Sequence, residues 1–213
     1  MTQEETWLLN EKYHGEVTPA FFTDCARLAA GEPLAYLIGS IPFLGAQISL
    51  DTKPLIPRPE TELWVSDFLA SRQARLTTGE SRILDLCAGS GCIGVAVLLE
   101  YPASRVDFVE IDQKHHSTIT KNIKLNGLSV RPGQVLGGHL FSQVTEKYHF
   151  ILTNPPYVDI SLGRLASSVV NYEPELALDG GRHGLALIAE IINQAPDHLF
   201  SAGELWLEHE PEQ

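Results

Sequence analysis

From Ser81 onward the chain alternates between strand and helix patterns, and this alternation restricts the fold more than any other feature. Residues 82–86 form a buried-strand pattern, Cys87–Gly91 form a glycine turn, and residues 92–100 form a helix pattern that stops before Pro102. Strands that alternate with helices in this way pair in parallel and are covered by helices on both faces. The sequence therefore predicts an α/β fold with a doubly wound, mostly parallel sheet.

Four more strand patterns extend the predicted sheet, at residues 106–110, 135–136, 150–153 and 204–208. A helix pattern that carries Ile119, Ile123 and Leu125 follows the second strand, and another covers residues 185–192. We therefore expect at least five parallel strands.

Three polar segments follow strands of this predicted sheet. They are the glycine turn Cys87–Gly91, the acid Glu110 and the amide Asn154. Ligands of doubly wound sheets bind beyond the carboxyl ends of the strands, so we expect these segments to line one crevice. Glu110 lies roughly 20 residues beyond the turn, where nucleotide-binding folds place a carboxylate for ribose hydroxyls.

The glycine turn helps to choose among ribose-containing cofactors. It lacks the third glycine that is typical of dinucleotide pyrophosphate binding, and it lacks the Lys-Ser/Thr ending of a P-loop. The turn alone, and the acid alone, are weak signals. Together with Asn154 they predict a ribose-containing cofactor without phosphates.

The tetrapeptide Asn154-Pro155-Pro156-Tyr157 carries unusual chemistry. The prolines have no backbone N–H, so the segment offers stiff carbonyl acceptors and almost no donors. An NH2 group could donate one hydrogen to the Asn154 side chain and one to a proline carbonyl, with the Tyr157 ring beside it. Such a grip would orient the poorly nucleophilic nitrogen of an amide or aryl amine. The other interpretation is a turn that merely ends a strand.

The N-terminal part of the chain has a different pattern. Thr18 is a candidate N-cap for a helix that ends at Gly31, and residues 34–56 have hairpin character. A helix is predicted from Glu60 to Arg75, with an apolar side formed by Leu63, Trp64, Phe68 and Leu69. We expect residues 1–53 to form a short helix and hairpin extension, and residues 54–213 to form the α/β domain.

Charge and cysteine content restrict the partners. The 213 residues have a net charge of −12 and no Lys/Arg cluster, which makes a nucleic acid an unlikely main ligand. Neither a membrane-spanning run nor an N-terminal signal is evident, so we expect a cytoplasmic protein that does not bind membranes. The three cysteines have no metal-type spacing, and we expect no metal.

Several motifs resemble the HemK or PrmC family of protein-(glutamine) N-methyltransferases. The resemblance covers nearly the whole chain from Gly31 and rests on residues 32–36, 43–45, 55–62 (Leu-Ile-Pro-Arg-Pro-Glu-Thr-Glu), 85–91, 154–157, 172–174 and 177–181. It implies a Rossmann-like class I methyltransferase that uses S-adenosylmethionine to methylate the glutamine amide of the Gly-Gly-Gln motif in class I peptide chain release factors. The release factor is then the partner, and we expect the enzyme itself to be a monomer.

The resemblance also implies roles for individual residues. The glycine turn would wrap the methionine part of the cofactor through Cys87, Ala88, Gly89, Ser90 and Gly91. Asp85 would lie near the ammonium group of the cofactor. The ribose hydroxyls would bind Glu110, the adenine would lie beside Leu140, and Thr61 would touch the cofactor. Asn154, Pro155, Pro156 and Tyr157 would hold the glutamine amide, with Asn154 also adjoining the cofactor.

Some residues depart from the family pattern. Cys87 stands where many methyltransferases have glycine, which is tolerated if its φ is negative. His139 stands where the family usually has an acid that accepts from the adenine amine. We expect His115, His116 and His183 to be solvated. Most of the family's N-terminal helical domain is missing and relatives continue beyond Gln213, so we expect a C-terminally truncated chain.

Three functions remain open at this point: a release factor glutamine methyltransferase, an amino-methyltransferase of nucleic acid bases, and a catalytically weak cofactor-binding remnant. The Asn-Pro-Pro-Tyr segment is shared by the first two classes. The acidic charge and the Pro-Arg-Pro-Glu-Thr-Glu segment favour the first.

Overall fold

The N-terminal region consists of three helices and a hairpin in a computed structural model that describes residues 1–77, 81–128, 133–211 and 213. Its elements are α1 (Gln3–Tyr13), α2 (Pro19–Ala29), α3 (Leu34–Ile38), β1 (Ser40–Phe43) and β2 (Ala46–Ser49). Thr18 accepts from the Phe21 N–H and caps α2, which confirms the predicted cap. Leu8, Phe21 and Leu37 form the small core of the three helices.

The predicted hairpin is narrower than expected. Only β1 and β2 pair, in antiparallel register. Leu34–Ile38 is helical instead, because Pro33 begins the helix and Gly39 ends it with a φ of 91°. The main-chain N–H of Ser49 donates to Asn122 Oδ1, so the hairpin is tied to the α/β part of the chain.

The α/β part is built on a five-stranded parallel sheet, as predicted. Its strands are β3 (Arg82–Leu86), β4 (Arg105–Val109), β5 (Val135–Leu136), β6 (Tyr148–Thr153) and β7 (Leu199–Leu207). They lie in the order β5-β4-β3-β6-β7, and every neighbouring pair is parallel. Leu86 pairs with both Val109 and Thr153, so these three strands end side by side. The chain order reverses between β3 and β6, which is where such sheets bind ligands.

Helices cover both faces of the sheet. They are α4 (Pro59–Ser71), α5 (Gln73–Leu76), α6 (Cys92–Glu100), α7 (His116–Leu125), α8 (Ser167–Tyr172) and α9 (Ala186–Gln194). Ile83 packs in one core with Phe68 and Phe108, whereas its neighbour Leu84 packs in the other core with Ile191. Successive strand residues point to opposite faces, so two cores show that both faces are buried. None of the helices described is long and apolar enough to cross a membrane.

The helix predicted over residues 60–75 is two helices, because the chain departs from helical geometry at Arg72. Its predicted apolar side is also partly wrong, since Leu63 is 68% exposed. The buried face carries Thr61, Val65, Phe68 and Leu69, which follow the i, i+4, i+7, i+8 spacing of a helix.

Candidate active site

A cavity lies beyond the carboxyl ends of β3, β4 and β6. It holds about 870 Å³ of empty space including its open mouth and the solvent there. The lining residues are Leu55, Cys87, Gly89, Val109, Glu110, Ile111, Asp112, His115, Gly138, His139, Leu140, Asn154, Pro156, Pro174, Leu176, Ala177, Asp179 and Leu187. The strand register therefore brings the turn, the acid and the amide to one cavity.

Glu110 holds the glycine turn in place. Its Oε2 accepts from the Gly89 N–H at 2.7 Å, and its Oε1 accepts from the Asp112 N–H at 2.7 Å. Burial raises the pKa of Glu110, although these two amides oppose the shift. Each carboxylate oxygen can accept more than one hydrogen, so both can still accept from a ligand.

Cys87 adopts a backbone conformation that favours glycine. Its φ is 61°, so it lacks the negative φ at which a cysteine would be tolerated in place of glycine. The Ala88 N–H donates to the Val109 carbonyl at 2.9 Å, which fixes the chain just after Cys87 against the end of β4. Burial raises the pKa of the Cys87 thiol to about 12, so it lines the cavity as a neutral group.

Asp85 lies outside the cavity lining, and its place near the cofactor's ammonium group stays a prediction. It is fully buried, and its Oδ2 accepts from the Gly94 N–H at 2.8 Å. Its Oδ1 has no hydrogen-bond partner within the described ranges. Burial, together with the charge of Glu110, raises the pKa of Asp85 to about 8.

The Asn154 side chain has a defined partner. Its Nδ2 donates to Thr61 Oγ1 at 3.0 Å, and no donor in the described part of the chain reaches Oδ1. Because Asn154 lines the cavity, Oδ1 is the acceptor left for a ligand. Thr61 itself is 2% exposed and outside the lining, and its direct contact with a cofactor stays a prediction.

Glu208, which follows β7, is a site residue that the sequence reasoning did not identify. Its carboxylate accepts from Thr61 Oγ1 at 2.7 Å, Trp64 Nε1 at 2.8 Å and the Tyr157 hydroxyl at 2.9 Å. Its place at a strand end, like that of Glu110, is the signal that could have found it.

Two segments that carried the family resemblance contact each other although they are 115 residues apart in sequence. Arg58 donates to Glu173 Oε1 at 2.6 Å, and the Ile56 N–H donates to Glu173 Oε2 at 3.1 Å. Leu55 and Pro174, their immediate neighbours, both line the cavity. The contacts of Glu173 with Arg58 and Ile56 therefore hold together the parts of the cavity wall that Leu55 and Pro174 form.

The histidines are placed differently from the prediction. His115 is 3% exposed, contacts Thr52 Oγ1 at 2.7 Å through Nδ1, and lines the cavity; it is not solvated. Burial lowers the pKa of His115. His116 is half-buried with Nε2 at 2.8 Å from the Glu110 carbonyl, whereas His183 is exposed as expected. His139 lines the cavity and contacts Glu190 at 3.0 Å.

The predicted site residues fall into two groups. Those that line the cavity are Cys87, Gly89, Glu110, Leu140, Asn154 and Pro156. Those outside the lining are Thr61, Asp85, Ala88, Ser90, Gly91, Pro155 and Tyr157. Thr61 contacts the lining residue Asn154, and Tyr157 follows the lining residue Pro156 and donates to Glu208.

The methyltransferase small domain family matches residues 64–171 of the chain. A release factor glutamine methyltransferase of Thermodesulfovibrio yellowstonii is 37% identical over 83% of this chain and 63% of its own length. Another, from Bordetella pertussis, is 37% identical over 86% of this chain and 67% of its own length. The chain thus spans about two thirds of the length of these relatives.

A solved structure shares the fold. A methyltransferase from Pyrococcus furiosus matches with a TM-score of 0.53 and 18% identity, over 87% of this chain and 77% of its own. At this identity the similarity shows the fold alone, and it agrees with the predicted Rossmann-like sheet.

The buried Asp85 predicts a pH-dependent stability. Its pKa in the folded protein, about 8, lies above the value of about 4 for an unfolded aspartate. The folded protein therefore keeps a proton that the unfolded chain loses across this range, so the free energy of unfolding falls as pH rises. In Asp85→Asn this contribution is absent. We expect the variant to gain stability relative to the parent by up to about 1.4 kcal/mol per pH unit between about pH 5 and 8.

Urea unfolding at several pH values measures this difference. Asp67→Asn, at an exposed position of α4, is the matched control and should follow the parent. A constant difference between Asp85→Asn and the parent across this range would contradict a protonated Asp85.

Proposed function

Because this chain belongs to the release factor glutamine methyltransferase family, we propose that it transfers a methyl group to the side-chain amide of the glutamine in the Gly-Gly-Gln motif of class I release factors. The observation that carries the proposal is the Asn154 amide, held by Thr61 with Oδ1 left as the acceptor in the cavity wall. The methyl donor proposed for this site is S-adenosylmethionine.

The charge of the cavity lining supports this choice of cofactor. Three lining residues, Glu110, Asp112 and Asp179, are carboxylates, and none of the described lining residues is Lys or Arg. Such a lining suits a ligand with cationic groups and disfavours one with phosphates. Glu110 would accept from the ribose hydroxyls, and Leu140 supplies apolar wall. When bound, S-adenosylmethionine supplies an electrophilic methyl group on a positively charged sulfur.

The residues after β6 would orient the substrate amide. The amide nitrogen is a poor nucleophile because its lone pair is delocalised into the carbonyl. Asn154 Oδ1 and a proline carbonyl would each accept one of its hydrogens and turn the lone pair toward the cavity. The same interactions strengthen as positive charge develops on the nitrogen, so they stabilise the transition state more than the ground state.

The substrate class can be tested directly. The protein is incubated with methyl-labelled S-adenosylmethionine and either a class I release factor or mixed DNA and RNA. We expect label on the release factor, at the glutamine of Gly-Gly-Gln, because the acidic lining and the net charge of −12 disfavour nucleic acid. The position of the label is read by mass spectrometry.

A full-length relative is the positive control for the release factor preparation. Label on nucleic acid alone, or no label where the full-length relative succeeds, would contradict the proposed function of this chain.

Substitutions at Asn154 separate substrate orientation from cofactor binding. Asn154→Ala removes Oδ1, and we expect methyl transfer to fall roughly a hundredfold, or about 3 kcal/mol, while S-adenosylmethionine affinity changes little. Asn154→Asp keeps an oxygen acceptor at nearly the same place and should retain more activity than Ala. Single-turnover rates and titration calorimetry measure the two quantities. Transfer by Asn154→Ala as fast as by the parent would show that Asn154 only ends a strand.

A further inference from the structure

Glu208 is a buried carboxylate without a cationic partner. It is 9% exposed, and none of the ion pairs found among the described residues includes it. The main chain holds it beside the site, because its N–H donates to the Thr153 carbonyl at 3.0 Å, one residue before Asn154. Burial of an acid is costly unless its oxygens accept hydrogen bonds. Here neutral donors satisfy it, from Thr61, Trp64 and Tyr157.

The charge of Glu208 dictates the direction of the neighbouring hydrogen bonds. An ionised carboxylate only accepts, so the single hydrogen of the Thr61 hydroxyl is donated to Glu208 Oε2 at 2.7 Å. Thr61 Oγ1 then has only lone pairs to offer to Asn154 at 3.0 Å. Asn154 must therefore present Nδ2 to Thr61, and Oδ1 becomes the other arm of the amide.

We propose that Glu208 is a positioning residue that sets the orientation of the Asn154 amide through Thr61. The inference rests on the proposed function, in which Asn154 Oδ1 accepts from the substrate NH2 group. An asparagine side chain can rotate so that its oxygen and nitrogen exchange places, and the two arrangements have nearly the same shape. The rotated amide would present an NH2 group to the substrate NH2 group, so that two donors would face each other. We call the two hydrogen bonds, from Thr61 to Glu208 and from Asn154 to Thr61, the relay. The relay excludes the rotated arrangement.

The same carboxylate also orients Tyr157. The Tyr157 hydroxyl donates to Glu208 Oε1 at 2.9 Å, on the oxygen that Thr61 does not use. One carboxylate thus fixes both ends of the Asn154–Tyr157 segment, and burial with the charge of Glu208 raises the pKa of Tyr157. The phenol therefore remains a donor to Glu208.

Glu208→Met tests the relay with a side chain of similar length that has no carboxylate acceptor. Glutamine would not do so, because Trp64 Nε1 can only donate and would keep the glutamine oxygen beside Thr61. In Glu208→Met the Thr61 hydrogen is free for Asn154 Oδ1, which permits the rotated amide. Thr61→Val removes the relay, and Thr61→Ser restores the hydroxyl. We expect kcat to fall at least about tenfold in Glu208→Met and Thr61→Val, with S-adenosylmethionine affinity within about threefold of the parent. Thr61→Ser should recover most of the loss seen in Thr61→Val.

Glu204→Met, within β7, is the matched control. Glu204 pairs with Arg72 and Arg75 away from the cavity, so this variant should keep the parent's kcat. Thermal melting of each variant shows whether it is folded, and Thr61→Val keeps the test decisive if Glu208→Met is not.

A second measurement reports the amide orientation without turnover. The side-chain NH2 signals of Asn154 are identified by their loss in Asn154→Ala, and their hydrogen exchange is followed by NMR. We expect slow exchange of one hydrogen in the parent and Thr61→Ser, and fast exchange in Thr61→Val and Glu208→Met. This result holds even if the parent proves inactive on release factors, so failure of the proposed function and failure of the relay are distinguishable.

The relay would be overturned by Glu208→Met and Thr61→Val retaining the parent's kcat with unchanged Asn154 exchange. A lower kcat with unchanged exchange would overturn it as well, because the loss would then come from something other than the orientation of Asn154.

Discussion

Buried carboxylates that accept hydrogens from distant parts of the chain hold the walls of the cavity together. Glu110 binds the glycine turn at Gly89, Glu173 binds Arg58 across 115 residues of sequence, and Glu208 binds Tyr157. A buried acid needs such partners because desolvation is costly. Each contact joins a strand end or a connecting loop to another segment of the chain.

The sheet places the main chain of the site residues, and hydrogen bonds of this kind orient their side chains. The sheet brings Cys87, Glu110 and Asn154 together through register alone, since Leu86 pairs with Val109 and Thr153. Register places main-chain atoms but does not orient side chains. The orientation of Asn154 comes from its bond to Thr61, and that of Tyr157 from its bond to Glu208.

Much of the fold could be predicted because its signals are local. The run of residues 82–86, the glycine turn and the helix that stops before Pro102 each depend on neighbours in sequence, and the structure has strand β3 and helix α6 there. The positions that were predicted wrongly, or not predicted at all, depend on tertiary partners. His115 is buried where it contacts Thr52, the φ of 61° at Cys87 depends on the packing of the turn, and the role of Glu208 needs partners from two other segments. No local pattern specifies these contacts.

Three strand ends that are far apart in sequence meet at one cavity, which we propose is a single ligand site. Amide hydrogen exchange with and without S-adenosylmethionine tests it most directly. We expect S-adenosylmethionine to slow amide exchange in all three peptides that contain residues 87–91, 110–112 and 154–158, with the same dependence on ligand concentration. Exchange in α1 and α2 should be the same with and without the ligand. Protection of only one of the three segments, or protection confined to the N-terminal helices, would contradict a single ligand site at these strand ends.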